Sequence, residues 1–119
     1  MAFSFSPRTV TDGLILNLDA ANNRSYISGS TTWTDLSRSN INGTLTNGPT
    51  FNTASGGSII FDGTDDYVLS PDNTTLRPTI FTIDVWFRPT SFSTFNTLIV
   101  KPVNGPVWTS PFLSYMIRL

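Results

Sequence analysis

Along most of this chain apolar residues recur at every second position, and turn-forming residues interrupt them at short intervals. That period is the signature of half-buried strands, not of amphipathic helices. Leu14, Leu16 and Leu18 alternate after an Asp12-Gly13 turn and predict a first strand with one buried face. Asp19 to Gly29 is polar and rich in Ala and Asn, which predicts a loop or a single helical turn. Trp33 and Leu36 lie in a short segment that ends at Ser37-Arg38-Ser39-Asn40, and the turn dipeptides Asn42-Gly43 and Asn47-Gly48 bracket a strand around Thr44-Leu45. Ser58-Ile59-Ile60-Phe61 and Asp66-Tyr67-Val68-Leu69, separated by Asp62-Gly63-Thr64-Asp65, read as a hairpin. The strongest strand pattern is Ile80 to Arg88: Phe81, Ile83, Val85 and Phe87 share one face, Thr82, Asp84, Trp86 and Arg88 the other, and Pro89 ends it. Leu98-Ile99-Val100 is a further strand. After a loop holding Pro102, Pro106 and Pro111 the alternation resumes at Leu113, Tyr115, Ile117 and Leu119. About eight short strands, no long helix, no repeat and no linker predict an all-β antiparallel sandwich, one domain over residues 1–119.

Composition sharpens this picture. A chain of 119 residues buries roughly two-thirds of its extended surface, enough for one core. Only 13% of residues are charged, about half the usual ~25%, so the surface must be made of Ser, Thr and Asn. The aromatic content of 13% argues against disorder. The net charge is −1 and the cations Arg8, Arg24, Arg38, Arg77, Arg88, Lys101 and Arg118 are scattered, which argues against a phosphate-binding face and hence against nucleic acid. The absence of Cys favours a bacterial or viral setting or a domain held by its partners. Met1 to Arg8 lacks the basic start and apolar run of a signal peptide, and no apolar run approaches the ~20 residues of a membrane span. The sequons at Asn23, Asn42 and Asn73 accordingly read as chance matches in an Asn- and Thr-rich chain.

Several motifs in order carry a resemblance. They are Gly13-Leu14-Ile15-Leu16-Asn17-Leu18-Asp19-Ala20-Ala21-Asn22; Thr32-Trp33-Thr34-Asp35-Leu36-Ser37 with Asn42-Gly43-Thr44-Leu45 and Asn47-Gly48-Pro49; Gly57-Ser58-Ile59-Ile60-Phe61-Asp62-Gly63-Thr64-Asp65-Asp66-Tyr67-Val68; and Phe81-Thr82-Ile83-Asp84-Val85-Trp86-Phe87-Arg88-Pro89. Together, over about Asp12 to Lys101, they resemble the laminin-G-like branch of the concanavalin A-like lectin/glucanase superfamily. The resemblance implies a jelly-roll of two antiparallel sheets and a binding or structural role, as in tailed-bacteriophage decoration and fibre proteins or large bacterial surface proteins. Domains of this family continue with further strands, so the sandwich is expected to be incomplete at its C-terminus: either the sequence is a fragment, or its open edges are covered by other virion proteins or copies of itself, of which the second is favoured.

The chemistry bears this out in one direction. No His, Cys or Glu occurs, so neither a nucleophile–His arrangement nor the paired Glu of glucanase relatives can be built, and no enzyme is expected. Asp62, Asp65 and Asp66 sit at one tight turn. Three carboxylates there suit Ca²⁺, while Asp also favours turns through local backbone hydrogen bonds. Trp86, Trp33 and Tyr67 are candidates for stacking on sugar rings, with core packing as the competing use; Trp86 stands out because it lies on the polar face of its strand. Trp108, Phe112 and Tyr115 are candidates for a protein interface. Two functions follow as expectations: a virion structural protein that docks through its sheet surface and touches host glycans, or an autonomous carbohydrate-binding module on a phage or bacterial surface.

Overall fold

The computed structural model describes residues 9–91, 97–102 and 113–118. The described residues form short antiparallel strands and two single 3₁₀ turns, with no α-helix among them and none long and apolar enough to cross a membrane. The chain divides into two compact units, Met1–Pro71 and Asp72–Leu119.

In the first unit, β1 (Thr32–Trp33), β2 (Gly43–Thr46) and β5 (Tyr67–Leu69) make a three-stranded sheet in the order β1-β2-β5, and β3 (Thr50–Asn52) pairs with β4 (Ser58–Ile60). The expected hairpin between Ser58–Phe61 and Asp66–Leu69 does not form. Both segments are strands, but β4 pairs β3 whereas β5 pairs β2. The registers Thr44↔Leu69 and Thr46↔Tyr67, then Thr50↔Ile60 and Asn52↔Ser58, describe one long antiparallel ribbon with an interruption. At that interruption residues 47–49 face residues 61–66, so the second strand carries three extra residues and bulges. Asn47 and Gly48 adopt positive φ of 70° and 107°, which kinks the first strand opposite the bulge, and the Asn47 Nδ2 donates to the Asp65 carbonyl across the gap at 2.8 Å.

Pairing fixes which face is buried. Trp33, Gly43, Leu45 and Val68 share the inner face; Thr32, Thr44, Thr46, Tyr67 and Leu69 share the outer one. A Cβ at Gly43 would lie 2.6 Å from Val68 Cγ1 and 3.3 Å from Leu18 Cδ1, so Leu18 packs directly onto the sheet where β2 lacks a side chain. Tyr26, Ile41 and Leu45 form the buried apolar centre.

The alternating segment Leu14–Leu18, expected as the first strand, enters no ladder among the described residues. Within it Leu14 N–H donates to the Thr11 carbonyl, Asn17 N–H donates to Asp35 Oδ1 and the Asn17 carbonyl accepts from Leu36 N–H; just after it Asp19 N–H donates to Ser25 Oγ. Residues 19–26 turn through Asn22 N–H to Asp19 C=O and Tyr26 N–H to Asn22 C=O, a loop of turns as the composition predicts.

In the second unit β6 (Thr97–Pro102) pairs with β7 (Leu113–Arg118), register Ile99↔Ile117 and Lys101↔Tyr115. Buried Leu76 is the last residue of the 3₁₀ turn Thr74–Leu76, which Asn73 caps by accepting from Thr75 N–H at 2.9 Å. Residues 80–88, the strongest strand pattern in the sequence, join no ladder among the described residues.

Candidate functional site

The sequence-predicted site residues that fall within the described residues map onto definite places. Asp62, Asp65 and Asp66 occupy the bulge between β4 and β5, and their carboxylate oxygens lie within 4.8 Å of one another. Oxygens bound to one Ca²⁺ at 2.3–2.6 Å are at most about 5 Å apart, so the three fit a shared cation. The same groups also perform turn chemistry: Asp66 Oδ2 accepts from Asp62 N–H at 3.0 Å, and Asp62 Oδ1 accepts from Thr64 N–H at 2.8 Å. No cation is paired with any of the three among the described residues.

The aromatic candidates separate. Trp33 is half-buried on the inner sheet face, edge-on to Tyr26 with ring centroids 6.4 Å apart at 70°. Its indole Nε1 is buried without a partner. Tyr67 is exposed on the opposite face, so Trp33 and Tyr67 do not form one platform. Trp86 is 94% exposed. Of the interface candidates, Tyr115 is half-buried and packs against Phe81 at 4.9 Å, and burial raises its hydroxyl pKa. Trp108 and Phe112 lie outside the described residues.

Two features were not singled out from the sequence. The first is Asp35, 4% exposed, which the first unit wraps in donors. Its Oδ1 accepts from the N–H groups of Asn17 and Ser37, and its Oδ2 from the Ser37 hydroxyl and the Ile41 N–H, at 2.7–2.9 Å. Burial alone would raise its pKa; the Ser37 hydroxyl and the three N–H donors outweigh burial, and the net shift is downward. The spacing Asp35-Leu36-Ser37 is an Asx-turn signal that marks it. Asp35 is a clamp joining residues 17, 37 and 41, with no open side for a substrate.

The second is an open groove of about 390 Å³ in the first unit. Tyr26 and Phe51, with ring centroids 5.2 Å apart, line it together with Ala20 and Ala21, and Asn23 and Thr53 supply neutral polar groups. No charged residue lines it among the described residues. The β3–β4 ribbon positions Phe51, because Gly57 lets that ribbon approach the Ala20 carbonyl: a Cβ at Gly57 would lie 2.7 Å from that oxygen. The aromatic pair was hidden because Tyr26 and Phe51 are distant in sequence and only the hairpin excursion brings them together.

In the second unit Asp72 pairs with Arg77 at 2.5 Å and with the buried Lys101. The Lys101 hydrogen bond is the main reason the Asp72 carboxyl titrates below its ordinary value. This triad ties β6 to the 3₁₀ turn and offers no reactive group in a cleft.

Comparison with family models, with curated proteins and with solved structures returns no match.

Proposed function

We propose that this chain is a non-enzymatic structural module, a laminin-G-like jelly-roll domain of the kind carried by virion decoration and fibre proteins. It works at the particle surface, docking onto other virion proteins or copies of itself through its β surface and touching host glycans with its outer loops. One observation carries the docking role: residues 80–88 have the strongest strand pattern in the chain, yet they join no ladder among the described residues and expose Ile80 and Trp86 by 92% and 94%. Exposed apolar residues on an unpaired strand favour a partner strand. The lack of His, Cys and Glu supports a non-catalytic reading, and the motif resemblance supports the jelly-roll and the virion setting. The Asp62, Asp65 and Asp66 bulge is the place a calcium ion would bind and stiffen the ribbon.

Light scattering on the purified chain, with and without calcium, tests this. Concentration-dependent oligomers are expected; a monodisperse monomer with one cooperative melt overturns the assembly role. Calcium that shifts neither mass nor melting temperature removes the ion from the account.

A second reading is an autonomous carbohydrate-binding module of a phage or bacterial surface protein. The groove favours it, since aromatic rings beside neutral hydrogen-bonding groups suit an uncharged sugar. Titration with neutral oligosaccharides discriminates: binding weakened by Thr53→Ala and Asn23→Ala places the sugar in the groove, and binding weakened by Trp86→Ala places it on residues 80–88.

A further inference from the structure

We propose that residues 80–88 are a self-complementary docking strand, which pairs antiparallel with the same segment of a second copy, Trp86 facing Trp86 across a two-fold axis; this rests on the assembly reading above. The segment brings the raw material. Its odd positions Phe81, Ile83, Val85 and Phe87 form an apolar face, and Phe81, Val85 and Phe87 are exposed despite their size. Its backbone donors and acceptors join no backbone partner among the described residues. Phe81 is anchored on Tyr115 of β7, which holds the beginning of the segment to its own unit and leaves the remainder open.

Charge selects the occupant and the register. In an antiparallel two-fold pair each residue faces one symmetry-related position, and like charges directly opposite are unfavourable. A pair centred on Asp84 sets two carboxylates face to face, and one centred on Arg88 sets two guanidinium groups face to face. The pair centred on Trp86 places each Asp84 opposite the other copy's Arg88, twice over. Asp84 and Arg88 make no hydrogen bond or ion pair among the described residues, so both are free for this. On the reverse face Val85 meets Phe87 of the other copy.

Proline fits the same register. If Trp86 sits in a hydrogen-bonded pair, positions 84 and 88 do too, and 83, 85, 87 and 89 alternate as non-hydrogen-bonded pairs. Pro89 then opposes Ile83 where no N–H is needed, so the residue that ends the strand costs the ladder nothing. A second copy satisfies charge, apolar face and proline together, with no further chemistry required of the partner.

The chain contains no Cys, so engineered cysteines report proximity without interference. Facing Cα atoms in a hydrogen-bonded pair are about 5.5 Å apart, inside the disulfide range. Trp86→Cys is expected to oxidise to a covalent dimer at least tenfold faster than Thr82→Cys; equal rates overturn the register. Independently, Asp84→Arg and Arg88→Asp should each weaken self-association about tenfold or more by placing like charges opposite, and the double swap should restore it. Sedimentation of the full chain reads this out, and all four positions are solvent-facing, so folding is checked by the unchanged melt. Oligomers that persist in both single variants overturn this strand pairing while leaving the assembly role standing; a wild-type chain that stays monomeric at every concentration overturns both.

Discussion

The two units handle the same kind of sequence in opposite ways. In Met1–Pro71 the alternating stretch Leu14–Leu18 joins no sheet among the described residues, yet its side chains are half-buried and its Asn17 backbone bonds Asp35 and Leu36. In Asp72–Leu119 the alternating stretch Ile80–Arg88 also fails to join a sheet, and it is left with exposed side chains and no backbone partners among the described residues. Alternation therefore states a preference for a sheet face. Whether the preference is met depends on partners elsewhere in the chain: in the first unit a buried carboxylate accepts from the Asn17 N–H, whereas no backbone partner of residues 80–88 lies among the described residues of the second.

Removing that carboxylate should erase the contrast, and it is the largest effect expected. Asp35→Ala leaves the N–H groups of Asn17, Ser37 and Ile41 and the Ser37 hydroxyl without their acceptor in a buried site. The cost is about 3 kcal/mol or more, read as a lowered denaturant midpoint of the first unit. A loss below about 1 kcal/mol would mean that Leu14–Leu18 is held by packing alone, and the comparison would then rest on apolar contact instead of polar satisfaction.

How the ribbon meets the Leu18–Ala21 region comes next. Gly57 has φ of 132°, and a Cβ there meets the Ala20 carbonyl at 2.7 Å and Phe51 Cζ at 3.1 Å. Gly57→Ala combines backbone strain with a backbone collision, so about 2–3 kcal/mol of destabilisation is expected, with the groove between Tyr26 and Phe51 widened. Gly43→Ala meets the tip of Val68 and should cost less, because a side chain can turn where a carbonyl cannot.

These residues also show what the sequence could and could not reveal. Strands are legible in the sequence at 58–61, 66–69, 98–100 and from 113 on, and the structure has strands at 58–60, 67–69, 97–102 and 113–118, with β6 running through Pro102, which the sequence places in a loop. Their pairing was not legible. Asp62-Gly63 looks like a hairpin tip, but Asn47-Gly48 is an equally strong turn on the opposite strand, and the two together make a bulge within a longer ribbon. Local turn chemistry cannot decide between a tip and a bulge, since that choice is made by which strand lies across. The three Asp of the candidate calcium site were legible as a cluster because they are neighbours in sequence; the Tyr26 and Phe51 groove was not, because it depends on the same long-range pairing. Ile80–Arg88 shows the reverse case: its alternation predicts a strand, and no ladder partner for it lies among the described residues.

Acid should test both units through one sign. Asp35 and Asp72 each titrate below the ordinary value of 3.8, Asp35 because its donors outweigh burial and Asp72 chiefly because of Lys101. A carboxyl depressed in the folded state gives stability that is complete above the unfolded value and is lost as pH falls through the folded one. Melting temperature should be flat above about pH 5 and fall below about pH 4. Asp35→Asn should flatten the part of that acid limb belonging to the first unit and leave the rest. An acid limb unchanged in Asp35→Asn would mean that the buried carboxylate is not the titrating group.

The smallest effect is the one that separates the two tryptophans. Trp86 touches almost nothing, so Trp86→Ser in dilute solution should move stability by no more than about 0.5 kcal/mol, as for other surface changes. Trp33 packs against Tyr26 and faces Gly43 in the β1–β2 ladder, so the same replacement there opens the inner sheet face and lowers the melt measurably. The informative measurement repeats the Trp86→Ser melt as protein concentration rises. If residues 80–88 find their partner only in a second copy, wild type should gain stability with concentration and Trp86→Ser should not, because mass action rewards only the chain that associates. A Trp86→Ser variant that is already destabilised when dilute would show that the indole is packed within its own unit, and the contrast between a satisfied and an unsatisfied alternating segment would lose its second half.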